Sequence, residues 1–155
     1  MSIQMNLSVP RILALVGGVI TLAGFFAMPW VKALIFEMTA IEVAQQMARV
    51  SSFGTSRSAD PGMTLWLIYI TPVMGLLILF AAFDRRERSL LLAGIGAGIT
   101  ALLLIIDANQ GPTIRLSQPG SGYGAATLGL TLAAIAGLGS AAGRRRVSSA
   151  LDRST

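Results

Sequence analysis

The chain has 155 residues, 54% of them hydrophobic and only 12% charged, with 12 basic against 7 acidic side chains for a net charge of +5. It contains neither cysteine nor histidine, which excludes disulfide staples and removes the residues on which haem, iron–sulfur and most zinc sites depend. A mean hydropathy of +0.71 is too apolar for a soluble domain, whose helices need a polar face, and the length suits a single domain.

Four long apolar stretches cover 11–31, 63–83, 89–106 and 122–143, and their only charge is Arg11 at the edge of the first. Crossing the ~30 Å hydrocarbon core takes roughly 20 helical residues, so the expected fold is an all-α integral membrane bundle of four transmembrane helices. Before the first span, residues 1–9 alternate apolar and polar, a pattern that suits the membrane interface. Ser8 is placed to cap the first helix and Pro10 to enter its first turn. The helix is expected to run to about Met28, where Pro29 and Trp30 end it. The apolar run is longer than the ~7–15 residues of a signal-peptide core, and no small-x-small cleavage site follows. It reads as a retained helix.

The first outer loop holds Thr39-Ala40-Ile41-Glu42, which has the form of a capping box. Glu42, Gln45, Gln46 and Arg49 then share one helical face, and Val43, Ala44, Met47 and Val50 take another. That spacing predicts a short amphipathic helix over 40–50, apolar side down on the membrane or the bundle top. Residues 54–62 form a small-residue, turn-rich stretch that ends with Asp60 as cap and Pro61 as first-turn residue of the second span. The loop is expected to be either a lid over the helix ends or a docking surface for a partner.

In the second span Trp66 and Tyr69 belong at the outer interface and Phe80 and Phe83 at the inner one; Trp30 and Tyr123 are likewise expected at the outer headgroup level. Pro72 removes a backbone hydrogen bond and predicts a kink, which either fits the helix to its neighbours or frees a carbonyl near Ile68 for a ligand. The third span carries Gly94 and Gly98 in GxxxG spacing. After it, Gly111-Pro112 and Pro119-Gly120 flank an alternating run over 113–117, which predicts an extended piece that pairs with part of the first outer loop. In the fourth span Ala125, Gly129, Ala133, Gly137 and Ala141 recur every four residues. Such a stripe lets two backbones approach closely, and is expected to seal the chain's own helices in preference to binding another subunit.

Charge sets the expected orientation. Eight basic residues (Arg11, Arg85, Arg86, Arg88, Arg144, Arg145, Arg146 and Arg153) fall on one side of the four spans, and four fall on the other. By the positive-inside rule both termini are cytoplasmic, with 144–155 as a basic tail. Arg85, Arg86, Arg88 and Arg144–Arg146 sit where anionic headgroups attract cations, as topology anchors or as contacts for a specific lipid or partner. No basic folded surface is left for nucleic acid.

Ionisable groups inside a membrane are costly and are kept for function, and these spans hold none. Their polar residues are Thr21, Thr71, Thr100, Thr127, Thr131 and Ser140, neutral hydroxyls able to bond back to their own helix. Proton-coupled export in the manner of small four-helix multidrug exporters needs a carboxylate in the first helix, and none is present. A catalytic base would have to be Glu37, Glu42, Asp60 or Asp107, each explained by a cap or a solvated interface charge. The chain is therefore expected not to be an enzyme.

The order of a first span closing on Met28-Pro29-Trp30, a long outer loop with a short helix, and a last span opening on Gly122-Tyr123 resembles a loose group of uncharacterised bacterial four-helix membrane proteins. The layout is also similar to that of claudins, in topology only: their outer Gly-Leu-Trp and paired-cysteine signature is missing, so no barrier or pore role follows. The leading expectation is a non-catalytic accessory or scaffolding subunit of a larger bacterial inner-membrane complex, respiratory or photosynthetic. Its partners would be membrane lipids and other integral membrane subunits. It would hold no cofactor by direct His or Cys ligation, though bound lipids are compatible with it. The rivals are a small transporter or channel for a neutral or lipophilic molecule, built on Pro72 and the glycine-lined helices, and a self-assembling membrane organiser.

Overall fold

The computed structural model describes residues 8–33, 37–52, 62–84, 86–109 and 117–152. In lipid a backbone must satisfy its own polar groups, which a helix does within one segment. The four apolar stretches accordingly form helices α1 (Val9–Phe26), α3 (Gly62–Phe83), α4 (Glu87–Asn109) and α5 (Ser121–Asp152). All four are long and apolar enough to cross a membrane, and the chain is a multi-pass membrane protein. The amphipathic segment forms α2 (Ala40–Ser52). Short strands β1 (Val31–Ala33), β2 (Glu37–Met38) and β3 (Ser117–Pro119) make a sheet in the order β2-β1-β3, antiparallel throughout.

The four long helices form a ring in which α1 lies between α3 and α5, and α4 between α5 and α3. Sequential neighbours run antiparallel. One end of the ring carries the sheet and α2. At the other end, the charge of Arg11 reaches Asp84 in the link between α3 and α4.

Helix α5 is the central wedge, and its small-residue stripe explains how. A step of four residues overshoots a 3.6-residue turn by about 40°, so the stripe winds around the helix. Near the sheet end it faces α1: a Cβ placed on Gly24 would sit 2.9 Å from Ala125 Cβ, and one placed on Gly129 would sit 2.5 Å from the Gly17 carbonyl oxygen. Ala133 lies at the changeover, approached by Gly17 from α1 and by Gly94 from α4. Lower down, Gly137 faces α4, where a Cβ would lie 2.7 Å from Gly94 Cα and 2.9 Å from the Leu90 carbonyl oxygen. Gly98 sits beside Ala134, whose Cβ would lie 3.4 Å from one added at Gly98, and Ala141 is half-buried. One stripe thus serves two neighbours in turn. The α1–α3 seam works differently, with Leu79 over Gly18 and Leu22 over Gly75.

Several boundaries differ from the expected ones. Helix α1 stops at Phe26, with the Ala27 N–H donating to Ala23, and Val31 belongs to β1. Ser8 is the N-cap residue but its hydroxyl caps nothing; its carbonyl accepts from the Arg11 and Ile12 amides at 2.9 and 3.2 Å. Helix α2 runs two residues past 50. Helix α3 passes through Pro72 without a break; Thr71, just before the proline, bonds back to the Leu67 carbonyl at 2.7 Å. Helix α5 continues through the basic tail to Asp152 instead of ending near 143. Of the extended piece expected over 113–117 only Ser117 is described, and it opens the strand Ser117–Pro119 that pairs with β1 of the first outer loop. Residues 1–7, the turn stretch with Asp60 and Pro61, Arg85 and residues 110–116 lie outside the described residues.

Replacing Gly94 or Gly129 with Ala is expected to lower the unfolding midpoint in detergent, at a cost of about 1–3 kcal/mol from overpacking. Gly139, whose Cβ position has no neighbour within 4 Å, should accept Ala without loss.

Candidate functional site

The sheet end is organised around Trp30. Trp30, expected at the outer headgroup level, follows the end of α1 beside the sheet and is only 3% exposed. A helix leaves its last carbonyls without intrahelical donors, and the Trp30 indole N–H donates to one of them, Gly24, at 3.2 Å. The ring stands edge-on to Phe25 and Tyr123, with centroids 5.5 and 5.3 Å apart. An amphipathic ring normally at home in the interface thus serves here as an internal cap. The Trp30 backbone is held on both edges, its N–H donating to Met38 and its carbonyl accepting from Gly120, each at 2.7 Å.

Helix α5 starts from the same place. Its Gly122 N–H, an end group with no intrahelical acceptor, donates to the Pro29 carbonyl at 2.9 Å. Gly120 has the Pro29 carbonyl against its Cα, and a Cβ on Gly122 would lie 2.9 Å from Trp30 Cδ1. The Pro29-Trp30 and Gly122-Tyr123 pairs, far apart in sequence, therefore make one knot. Tyr123, also expected at the interface, turns inward. Its hydroxyl donates to the Leu104 carbonyl of α4 and lies 3.5 Å from the Asp107 carboxylate.

That tie shapes a groove of about 490 Å³ between α4 and α5. Ile105, Ala108 and Asn109 form one wall. Tyr123, Gly124, Thr127 and Leu128 form most of the other, which continues to Leu132.

Around the knot, the capping box forms as expected: the Glu42 carboxylate accepts from the Thr39 amide at 2.8 Å and the Thr39 hydroxyl at 3.0 Å. These bonds, the backbone one first, hold the Glu42 carboxyl below its ordinary range. Ala40, Val43 and Ala44 are buried beneath α2, while Gln45, Gln46 and Arg49 face out. Lys32 and Glu37 are register partners across the hairpin and pair at 3.0 Å, exposed on both sides. At the opposite end, Asp84 is also held below its ordinary range, chiefly by the Arg86 amide and then by Ser89.

All six hydroxyls singled out in the spans bond to their own helix. Thr21, Thr71 and Thr100 are buried and donate to Gly17, Leu67 and Gly96 at 2.8, 2.7 and 2.9 Å. Thr127, Thr131 and Ser140 donate to Tyr123, Thr127 and Gly137 at 2.9, 2.8 and 2.7 Å. Among the described residues Thr21, Thr71 and Thr100 are the only buried hydroxyls, and no cluster of three or more potential metal ligands occurs. Trp66 and Tyr69 face outward, as do Phe80 and Phe83. Arg86 and Arg88 are exposed, and Arg144, Arg145 and Arg146 lie on the helical continuation of α5 with their side chains outside the described set. Sequence reasoning missed the α1 side of the wedge; the spacing of Gly17, Thr21 and Gly24, small residues on one face, was its available signal.

Fold and site define an all-α multi-pass membrane protein whose described interior holds no ionisable side chain. Compared with protein-family models, curated proteins and solved structures, the chain matches none.

Trp30→Phe keeps an aromatic ring but loses the pyrrole half with its N–H, stranding the Gly24 carbonyl, and should destabilise the protein by at least about 1–3 kcal/mol in detergent unfolding. Because the Glu42 pKa is lowered by folding, its contribution is complete above the ordinary glutamate pKa and is lost as pH falls through the folded value. The protection factor of the Thr39 amide, which donates to this carboxylate, should therefore fall in acid, and Glu42→Gln should show a lowered protection factor already at neutral pH.

Proposed function

We propose that this protein is a non-catalytic accessory or scaffolding subunit of a larger complex in a bacterial inner membrane, of respiratory or photosynthetic type, with both termini cytoplasmic. The carrying observation is how the interior is used. Glycine and alanine contacts close its α1–α5 and α4–α5 seams, Ile68, Ile78, Leu104 and Leu130 fill its centre, and its buried hydroxyls, among the described residues, are threonines bonded to their own helices. Proton relays and ion paths depend on ionisable groups inside the membrane, and this core supplies none. The glycines that would line a passage, Gly94, Gly129 and Gly137, are closed by neighbouring backbone, which counts against the transporter reading.

With the small residues engaged inside, the surface left for partners is large and apolar. On α3 the residues Trp66, Tyr69, Val73, Leu76, Phe80 and Phe83 all face outward, Trp66 at 69% and Phe80 at 73% exposure. Their three-four spacing is that of a helix-packing seam, which supports docking of another membrane helix along α3. The orientation follows from the excess of Arg at the end away from the sheet.

Extraction in mild detergent followed by native gels and mass spectrometry should recover the chain with companion membrane subunits. Trp66→Ala combined with Phe80→Ala should weaken that association about tenfold, equivalent to ~1.4 kcal/mol. A lone 16.2 kDa chain in the native extract would refute the subunit reading.

A further inference from the structure

We infer that the end of the ring away from the sheet binds an anionic phospholipid, its phosphodiester between Arg88 at the start of α4 and Arg145 on the continuation of α5. Only a membrane-spanning chain is required for this, whether or not the protein is a subunit of something larger.

Helix packing gathers the arginines at one seam. Gly94 of α4 and Gly137 of α5 touch, a Cβ on either lying 2.7 Å from the Cα of the other. The two helices run antiparallel. Arg88, six residues before Gly94, and Arg145, eight after Gly137, therefore lie about 9 and 12 Å beyond that contact, in the same direction, at 1.5 Å per residue. Arg86 and Arg88 are both exposed. Helix α5 does not end with its apolar span at Ala142 but continues to Asp152. Arg144, Arg145 and Arg146 are thus carried on a helix whose direction the Gly94–Gly137 contact fixes. A signal for orientation needs only the right side of the membrane; it does not need this convergence.

The charge at the seam is unbalanced. Residues 84–88 and 144–146 together hold six arginines and two carboxylates, Asp84 and Glu87. Both carboxylates are engaged nearby: Asp84 accepts from the Arg86 amide at 3.1 Å, and Glu87 has a contact of its own. The excess of cations favours a headgroup with net negative charge over one that carries its own ammonium. The guanidinium fork suits phosphate oxygens.

A lipid, in preference to a soluble anion, follows from what lies below Arg88. Leu92, Ile95 and Ile99 share its face of α4 at spacings of four, seven and eleven residues, and all three are exposed. On α5, Leu138 lies seven residues before Arg145 and is exposed too, on the side turned away from Gly129 and its contact with α1. A ligand that meets Arg88 and continues along these side chains has an anionic end and an apolar body.

The test uses the full chain in mild detergent, titrated with phosphatidylglycerol or phosphatidylethanolamine and read by native mass spectrometry. Phosphatidylglycerol should bind about tenfold more tightly, and added salt should narrow the difference. Arg88→Gln combined with Arg145→Gln should abolish that preference. Lys32→Gln combined with Arg49→Gln, the same loss of charge at the sheet end, should leave it intact. Equal affinity of the unaltered protein for both lipids, or an equal effect of the two double variants, would overturn the assignment. So would displacement of the lipid by inorganic phosphate, which would give the arginines to a free anion. If the arginine variant does not insert, the unaltered protein decides. A phosphatidylglycerol with a photoreactive group near the glycerol end of its acyl chain should label 88–95 and 138–145. Labelling spread evenly over all outward helix faces would mean ordinary annular lipid and sink the proposal.

Discussion

Backbone-to-backbone contact is the constraint on which this molecule depends. Lipid surrounds the bundle with material as apolar as its own side chains, so expulsion of water does not draw the helices together there. What remains is dispersion at short range and weak polar contact, both of which need close approach. Glycine and alanine on α5 permit that approach on two sides, first to α1 and then to α4, because the stripe turns as it descends. Several large residues of the same helix, Leu128, Ile135 and Leu138, are thereby turned to the outside, while Leu130 is fully buried.

Close packing fixes the helices sideways, and the sheet end fixes them lengthways. Helix ends carry unpaired backbone groups, and near the membrane boundary water serves them poorly. Here the end groups of α1 and α5 serve each other through three residues, Pro29, Trp30 and Gly122. The Thr39–Glu42 box does the same for α2, and Tyr123 ties α5 to the last turns of α4. Where the walls diverge around that tie, the groove remains.

Much of this was visible in the residues. The spans, the short amphipathic helix, its capping box and the self-bonded threonines each follow from local pattern, which a helix obeys whatever its neighbours are. The α5 stripe was equally plain, although which helix met which part of it was not, since that depends on ring order. Trp30 and Tyr123 were read by depth alone, and depth does not say which way a ring turns; here the Gly24 and Leu104 carbonyls draw their polar tips inward. The strand at Ser117–Pro119 starts on the last residue of the alternating run and pairs with Val31–Ala33; residues 113–116 lie outside the described residues. The outward ridge on α3 was read as two belts, and only the burial pattern joins them into one seam.

The closure between β1 and β3 joins Val31 to Pro119, and the Gly122 amide reaches back to Pro29. Each pairing links the exit of the first span to the entry of the last. A nascent chain therefore carries its opening span through translation of the middle of the protein with that exit unfinished. Completion arrives only as the final segment is threaded into the bilayer, so a prematurely terminated product exposes at its surface the strand edge that full-length synthesis hides.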